Sequence, residues 1–375
     1  MMGIFKRTGH IDWIILMSTL GLMFFSIAFV YSASASIAEY RFGDYDKLFL
    51  NHSLRVFFGL IALLITMRID YHFWMRWSKV IMFIVIIPLI LVFLISSPIN
   101  GAYRWISIGF VNFQPSELAK FALVIHFATL LTQRQNVIKD FKFGLLPLLV
   151  WSFVICSLIA IQPNFSSAMV IFIIAIAMMF IGNANGKHLS IIGVIAFIGL
   201  IGYAISAAYR MQRIMNFVGM ANGSSDITEA AFQSQQAIIG FGNGGIFGLG
   251  PGQSRQSLLF LPEAYGDFIF SIIGEEYGFI GTVLILLIFV IMAWRGIKIA
   301  KNAPDNFGYF LAFGIIFTFT LYAFVSAGVN TGLLPTTGLP MPFVSYGGTA
   351  IIFYCIAMGI LLNISSQSIN SKTIR

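Results

Sequence analysis

The sequence predicts an all-α polytopic membrane protein, with about ten transmembrane helices and one long extracytoplasmic loop between helices 7 and 8. Three observations carry that expectation. Of the 375 residues, 58% are hydrophobic and only 10% are charged, where a soluble domain carries roughly 25% charged residues. Apolar runs recur near the ~20 residues that a helix needs to cross a hydrocarbon core. Lys and Arg are unevenly shared between alternate loops, as in chains that obey the positive-inside rule. With 39 Phe against 14 acidic side chains, the chain cannot cover a water-facing surface, which excludes a soluble enzyme and a disordered chain.

The first apolar run, 13–34, follows Lys6 and Arg7 and exceeds the ~7–15-residue core of a cleavable signal peptide. It is expected to remain as the first span. The further runs are 48–67, 80–97, 115–132, 143–161, 165–182, 188–208, 267–294, 307–329 and 342–364. Only Gln162-Pro163-Asn164 separates the fifth from the sixth, and a proline there breaks the helix rather than continuing it. An even number of spans returns the chain to its starting side. Loops on that side hold 14 Lys/Arg and loops on the other hold 7, so both termini are expected in the cytoplasm. The whole chain, 1–375, reads as a single transmembrane domain, with 209–266 as the long outer loop. Loops of that length are usually functional or disordered, and this one is not low-complexity filler.

The net charge of +8 reflects loop bias, because no basic cluster is dense enough for nucleic acid. Cys156 and Cys355 lie inside apolar runs and read as packing residues. No His, Cys or Asp cluster has metal-ligand spacing.

Ionisable groups within spans are costly and point to function. Glu117 and Lys120 stand at i and i+3, on one helix face, either as a neutralised pair or as part of an outward-opening polar cavity. Glu275 and Glu276 read as hydrogen-bonding or packing residues. Asp267 sits where the outer loop becomes a helix, within reach of water and substrate, and is either a carboxylate favoured by the helix macrodipole or a natural general base. Ser271, Gly274 and Gly278 share a stripe beneath it, which admits either a neighbouring helix or a ligand. Arg104, Arg210, Arg213 and Arg255 all fall on the outer side, where guanidinium forks suit phosphates. The glycine-rich tract 240–252 lacks the Gly-Lys-Ser/Thr ending of a phosphate loop and reads only as a flexible or re-entrant loop.

Several blocks together resemble the SEDS (shape, elongation, division and sporulation) family. They are Asn100-Gly-Ala-Tyr-Arg-Trp-Ile106, Phe113-Gln-Pro-Ser-Glu-Leu-Ala-Lys120, Gln162-Pro-Asn164, Leu261-Pro-Glu-Ala-Tyr-Gly-Asp-Phe-Ile-Phe270, Gly274-Glu-Glu276 and Pro335-Thr-Thr-Gly-Leu-Pro-Met-Pro-Phe-Val-Ser-Tyr-Gly-Gly348. They occur in family order across most of the chain. The Gly-Glu-Glu block and Leu334-Pro-Thr-Thr-Gly-Leu look closer to the division (FtsW-like) branch than to the elongation (RodA-like) branch. The resemblance implies a peptidoglycan glycosyltransferase that polymerises lipid II and releases polyprenyl diphosphate. It brings the catalytic aspartate onto Asp267 and the intramembrane ion pair onto Glu117 and Lys120. Many members carry His-Thr before that aspartate, whereas this chain has Tyr265-Gly266.

On that reading Arg104, Lys120, Arg210, Arg213 and Arg255 are the candidate ligands for substrate diphosphate. A divalent cation, Mg or Mn, is implied by the resemblance alone. The implied partners are lipid II, the polyprenyl-diphosphate-linked glycan strand, a class B penicillin-binding protein transpeptidase and divisome proteins. The implied location is the bacterial cytoplasmic membrane at the septum. The rival readings are a lipid II flippase, a scaffold for a transpeptidase, and a RodA-like elongation polymerase.

Overall fold

A computed structural model describes residues 10–95, 104–108, 111–205, 211, 215, 217 and 229–368. The helices are α1 (Trp13–Phe42), α2 (Lys47–Thr66), α3 (His72–Ile95), α4 (Pro115–Gln133), α5 (Leu146–Ile161), α6 (Phe165–Ile181), α7 (Gly186–Ile205), α8 (Glu229–Gly244), α9 (Ile269–Lys301), α10 (Asn306–Asn330) and α11 (Ala350–Gln367). All except α8 answer to the expected spans, one for one. Among the described residues, seven segments are long and apolar enough to cross a membrane by length and composition, and α6 and α7 supply shorter apolar helices. The chain is a multi-pass membrane protein.

Burial sorts the helices into two layers. Nearly every residue of α4 is buried, as are most of α10 and α11. In α2, α3 and the later part of α9 a single stripe is buried, and Phe57, Phe83, Leu284 and Trp294 are exposed on the outer side of these helices. Exposed apolar area on that scale marks a lipid-facing surface.

One end of the bundle joins both ends of the chain. Asp12 caps α1 by accepting from the Ile15 amide at 3.1 Å and pairs with Arg295 of α9 at 2.5 Å. Its own amide donates to Ser365 Oγ of α11 at 3.1 Å. At the same end His72 bridges Asp70 and Asp305, at 2.7 and 2.6 Å. The early and late ends of the chain therefore share one face, as an even number of crossings requires.

Four boundaries differ from expectation. Helix α1 runs on to Phe42 before Gly43, at φ 68, ends it. Helix α3 begins at His72, because Arg76 and Lys79 extend a helix beyond the purely apolar stretch. The tenth span begins at Ala350 rather than 342, since Pro335, Pro340, Pro342 and Gly347-Gly348 cannot propagate a helix. The segment before it is irregular, yet Leu339, Met341, Phe343 and Val344 are buried. Non-helical backbone at membrane depth is tolerated where protein surrounds it.

The fourth difference is the break in α9. Gly278 has φ 66 and ψ −165, outside helical space. Residues 269–276 are buried on every side, while from 279 onward only one face is buried. The lipid-facing part of the eighth span is thus the stretch after Gly278, and 269–277 is a separate enclosed piece. The glycine-rich tract fills the break and is ordered by it. Leu249 and Gly250 amides donate to the Glu275 and Glu276 carbonyls, and Phe279 and Ile280 amides donate to Gly245 and Ile246. A Cβ on Gly278 would stand 2.4 Å from the Gly248 nitrogen, so two backbones meet here. The long segment between α7 and α9 also contains α8, pressed against the enclosed piece, where a Cβ on Gly274 would overlap the Phe241 ring at 2.3 Å. A short antiparallel hairpin, β1 (Ile106–Ile108) with β2 (Val111–Phe113), adds a two-stranded element to the otherwise helical fold.

Candidate active site

Asp267 lies in the turn immediately before α9 and is half-buried. The helix starts two residues later than the sequence suggested, at Ile269, with Phe268 as its cap. The turn is held from both sides. Asn330, at the end of α10 and fully buried, donates from Nδ2 to the Asp267 carbonyl at 2.9 Å and accepts the Ser271 amide on Oδ1 at 3.1 Å. It thereby satisfies one of the orphan amides of a helix N-terminus and locks α9 to α10. Across the turn, a Cβ on Gly338 (φ 69) would lie 3.3 Å from Asp267 Oδ2, so the irregular segment closes directly on the carboxylate.

Residues 261–266 form the other support. The Tyr265 carbonyl accepts the Tyr346 amide at 2.9 Å, and the two rings meet edge to face at 5.4 Å. Burial, and then the Glu263 carboxylate, hold the Tyr265 hydroxyl well above its usual range. It remains a protonated donor beside Glu263, which also approaches Arg41 at 3.9 Å. Where many family members carry histidine, this chain therefore has a packed tyrosine that braces the turn.

The small-residue stripe beneath Asp267 serves helix packing. Ser271 is bonded to Phe268 and Asn330, Gly274 receives Phe241, and Gly278 receives Gly248, which leaves no ligand space along it. Glu275 accepts from Asn243 Nδ2, Ser254 Oγ and the Gln256 amide at 3.0, 2.5 and 3.1 Å. Ser32 Oγ of α1 donates to Glu276. Glu275 ties the glycine-rich tract to α9 and Glu276 ties α1 to it, the hydrogen-bonding role expected of them.

Glu117 and Lys120 form a 2.6 Å ion pair with essentially no exposure. Lys120 Nζ also donates to Tyr354 Oη at 3.1 Å and lies 3.9 Å from the centre of the Tyr322 ring. Tyr354 packs in turn on Phe343 and Phe319. The pair is thus sealed one aromatic layer behind the irregular segment that closes on Asp267. Of the two readings left open by the sequence, the geometry is that of the neutralised pair. Enclosure in that cage removes Lys120 from the set of side chains that can present a cation to a diphosphate.

Of the expected arginines, Arg104 and Arg255 fall within the described residues. Arg104 Nη2 donates to the Pro163 carbonyl, joining the segment between α3 and α4 to the turn where Asn164 reaches Ser116 of α4. Arg255 is exposed to solvent beside Ser254. Arg210 and Arg213 lie outside the described residues. Sequence reasoning missed Asn330, Gly338, Tyr346 and Arg55 as neighbours of the site. The available signals were the block 335–348, which contains Gly338 and Tyr346, and polar residues such as Asn330 and Arg55 at the edges of apolar runs.

Among the described residues, no three His, Cys, Asp or Glu side chains are grouped to hold a metal. One carboxylate supplemented by substrate phosphates is a normal way to bind Mg, and Asp267 fits that sparse donor set. An apolar cavity of about 230 Å³, lined by Trp74, Leu118, Phe121, Ile315 and Phe353, opens among α3, α4, α10 and α11.

The fold and this site define a class: polytopic helical membrane proteins with a carboxylate clamped at one end of the bundle. The chain belongs to the FtsW/RodA/SpoVE family of cell cycle proteins, whose sequence model matches residues 12–370. It is 39% identical over 365 residues to "Stage V sporulation protein E" of Bacillus subtilis (strain 168), covering 97% of this chain and 99% of that one. It is equally 39% identical to "Probable peptidoglycan glycosyltransferase FtsW" of Geobacter sp. (strain M18), over 96% of this chain and 98% of the relative. Among solved structures, a chain from "Structural coordination of polymerization and crosslinking by a peptidoglycan synthase complex" superposes with TM-score 0.78 at 21% identity, covering 95% and 97% of the two chains. The rod shape determining protein RodA of Thermus thermophilus superposes at 0.71 and 20% identity, covering 96% and 98%. At those identities the structures bear on the fold.

Proposed function

We propose that this protein is a peptidoglycan glycosyltransferase that polymerises lipid II into glycan strands for septal wall synthesis. The observation that carries this reading is the placement of Asp267. A half-exposed carboxylate is held on both sides at the bundle end opposite the chain termini, in a chain of this family. Both substrates have lipid tails and polar heads, which suits a site where the bundle meets the outer face.

Asp267 accepts the proton of the acceptor sugar hydroxyl as that oxygen attacks the anomeric carbon of the growing strand. The new glycosidic bond forms with inversion while the bond from that carbon to the polyprenyl diphosphate breaks, and the electron pair leaves with the diphosphate. Asn330 fixes the turn that carries the carboxylate and Gly338 closes beside it, which positions the base relative to the acceptor and so lowers the barrier. A divalent cation, Mg or Mn, held by Asp267 together with the diphosphate, would neutralise the departing charge.

The family's work in wall synthesis supports a class B penicillin-binding protein transpeptidase and divisome proteins as partners. The loop charge bias supports the bacterial cytoplasmic membrane, with both termini cytoplasmic. Purified protein, with its transpeptidase partner and lipid II, is expected to yield glycan strands. Headgroup translocation without polymer would instead identify a flippase, and neither outcome would leave a scaffold. For orientation, a cysteine placed at the exposed Gln253 should react with an impermeant maleimide in intact cells. Reaction only after permeabilisation would invert the topology.

A further inference from the structure

Arg55 lies on α2, eight residues after Lys47, or about 12 Å along the helix at ~1.5 Å per residue. An ionisable group at that depth in a membrane helix calls for a counter-charge or a function. Among the described residues, Arg55 makes no ion pair, and its Nη1 is enclosed without a hydrogen-bond partner. The side chain is only part-buried, so an incoming group can reach the rest of the fork. Its guanidinium lies 4.7 Å from the centre of the Tyr346 ring, and the other side of that neighbourhood is Tyr265, two residues before Asp267.

Three polar groups nearby have other partners. His52 Nε2 meets Ser26 Oγ at 3.0 Å, the Tyr346 amide is bonded to the Tyr265 carbonyl, and Glu263 faces Arg41. Among the described residues, no carboxylate pairs with Arg55. A guanidinium fork fits phosphate oxygens in pairs, and a ring beneath it limits its orientations without neutralising it.

Resting on the glycosyltransferase reading, we propose that Arg55 binds the diphosphate of the acceptor lipid II. Two contacts, the Arg55 guanidinium over the Tyr346 ring and the edge-to-face pair of Tyr346 with Tyr265, separate it from the turn that carries the base. In lipid II the attacking hydroxyl and its own diphosphate stand at opposite ends of a disaccharide, whereas the donor's diphosphate is attached to the reacting carbon itself. A cation set back from Asp267 matches the acceptor arrangement.

The test compares Arg55→Gln and Arg55→Lys with the wild type in the same lipid bilayer, together with the transpeptidase partner. Arg55→Gln is expected to raise the KM for lipid II about tenfold or more, the size of a lost charge-assisted hydrogen bond of ~1.5–3 kcal/mol, with kcat largely kept. Arg55→Lys should fall between the two, and thermal midpoints should be unchanged. An unchanged KM would overturn the assignment. So would a joint fall in kcat and thermal midpoint without rescue by lysine, which is the pattern of a packing residue. A second arm uses farnesyl diphosphate as a probe and reads the rise in thermal midpoint without turnover. Wild type should be stabilised and Arg55→Gln should not, and equal stabilisation of both would also refute the proposal. This arm decides on Arg55 even if the wild type forms no polymer, an outcome that would overturn only the glycosyltransferase reading.

Discussion

Asp267→Asn is expected to lower lipid II polymerisation by about 10²–10⁴-fold, the range a positioned general base contributes. Asparagine keeps the size of the side chain and removes its basicity. The turn should survive the change, because Asn330 holds the Asp267 carbonyl rather than its carboxylate. At a helix N-terminus, loss of the favourable dipole interaction costs only about 0.3–1 kcal/mol. The expected pattern is therefore a collapse in rate with the thermal midpoint and lipid II binding nearly preserved. Asp267→Glu should also be poor, since Gly338 stands so close to Oδ2 that a longer side chain must shift its carboxylate away from the acceptor. Near wild-type polymerisation by Asp267→Asn, with binding intact, would remove Asp267 from the role of base. Glu263, four residues earlier, would then be the next carboxylate to replace, although its contacts with Arg41 and Tyr265 suit it to bracing.

Lys120→Ala should be the most damaging change to the folded state. It leaves the Glu117 carboxylate in a pocket with essentially no exposure and without its cation. Breaking one partner out of a buried pair costs roughly 3–5 kcal/mol, while the aromatic cage of Tyr322, Tyr354 and Phe121 loses its occupant. Folded yield and thermal midpoint in detergent should both fall, and activity should fall with them, because Phe343 links the cage to the segment that closes on Asp267. Removing both charges by Glu117→Gln with Lys120→Met should recover much of the midpoint, as hydrophobic replacements of buried pairs often do. A Lys120→Ala variant of normal thermal stability but reduced lipid II binding would show that the lysine faces substrate.

The length and spacing of the apolar runs determine the number of crossings, because the span of a helix and the thickness of a bilayer are both fixed by geometry. The i, i+3 spacing of Glu117 and Lys120 determines that they can pair, since that relation lies within one helix. The break at Gln162-Pro163-Asn164 and the return of both ends to one face were legible for the same local reasons. Hydropathy, however, cannot distinguish a lipid-facing residue from one facing protein. An apolar run reading 267–294 therefore hid the stop at Gly278, which exists only because residues 245–250 supply the missing backbone partners. The run 342–364 likewise hid a buried, non-helical stretch, stable only inside a shell of other helices. Tertiary structure alone decided that Lys120 is caged, that Asn330 clamps the turn of Asp267 and that Arg55 has no anion within the described protein. Each of these depends on groups that meet from distant parts of the chain, and polar satisfaction inside a membrane is settled by such meetings rather than by sequence neighbours.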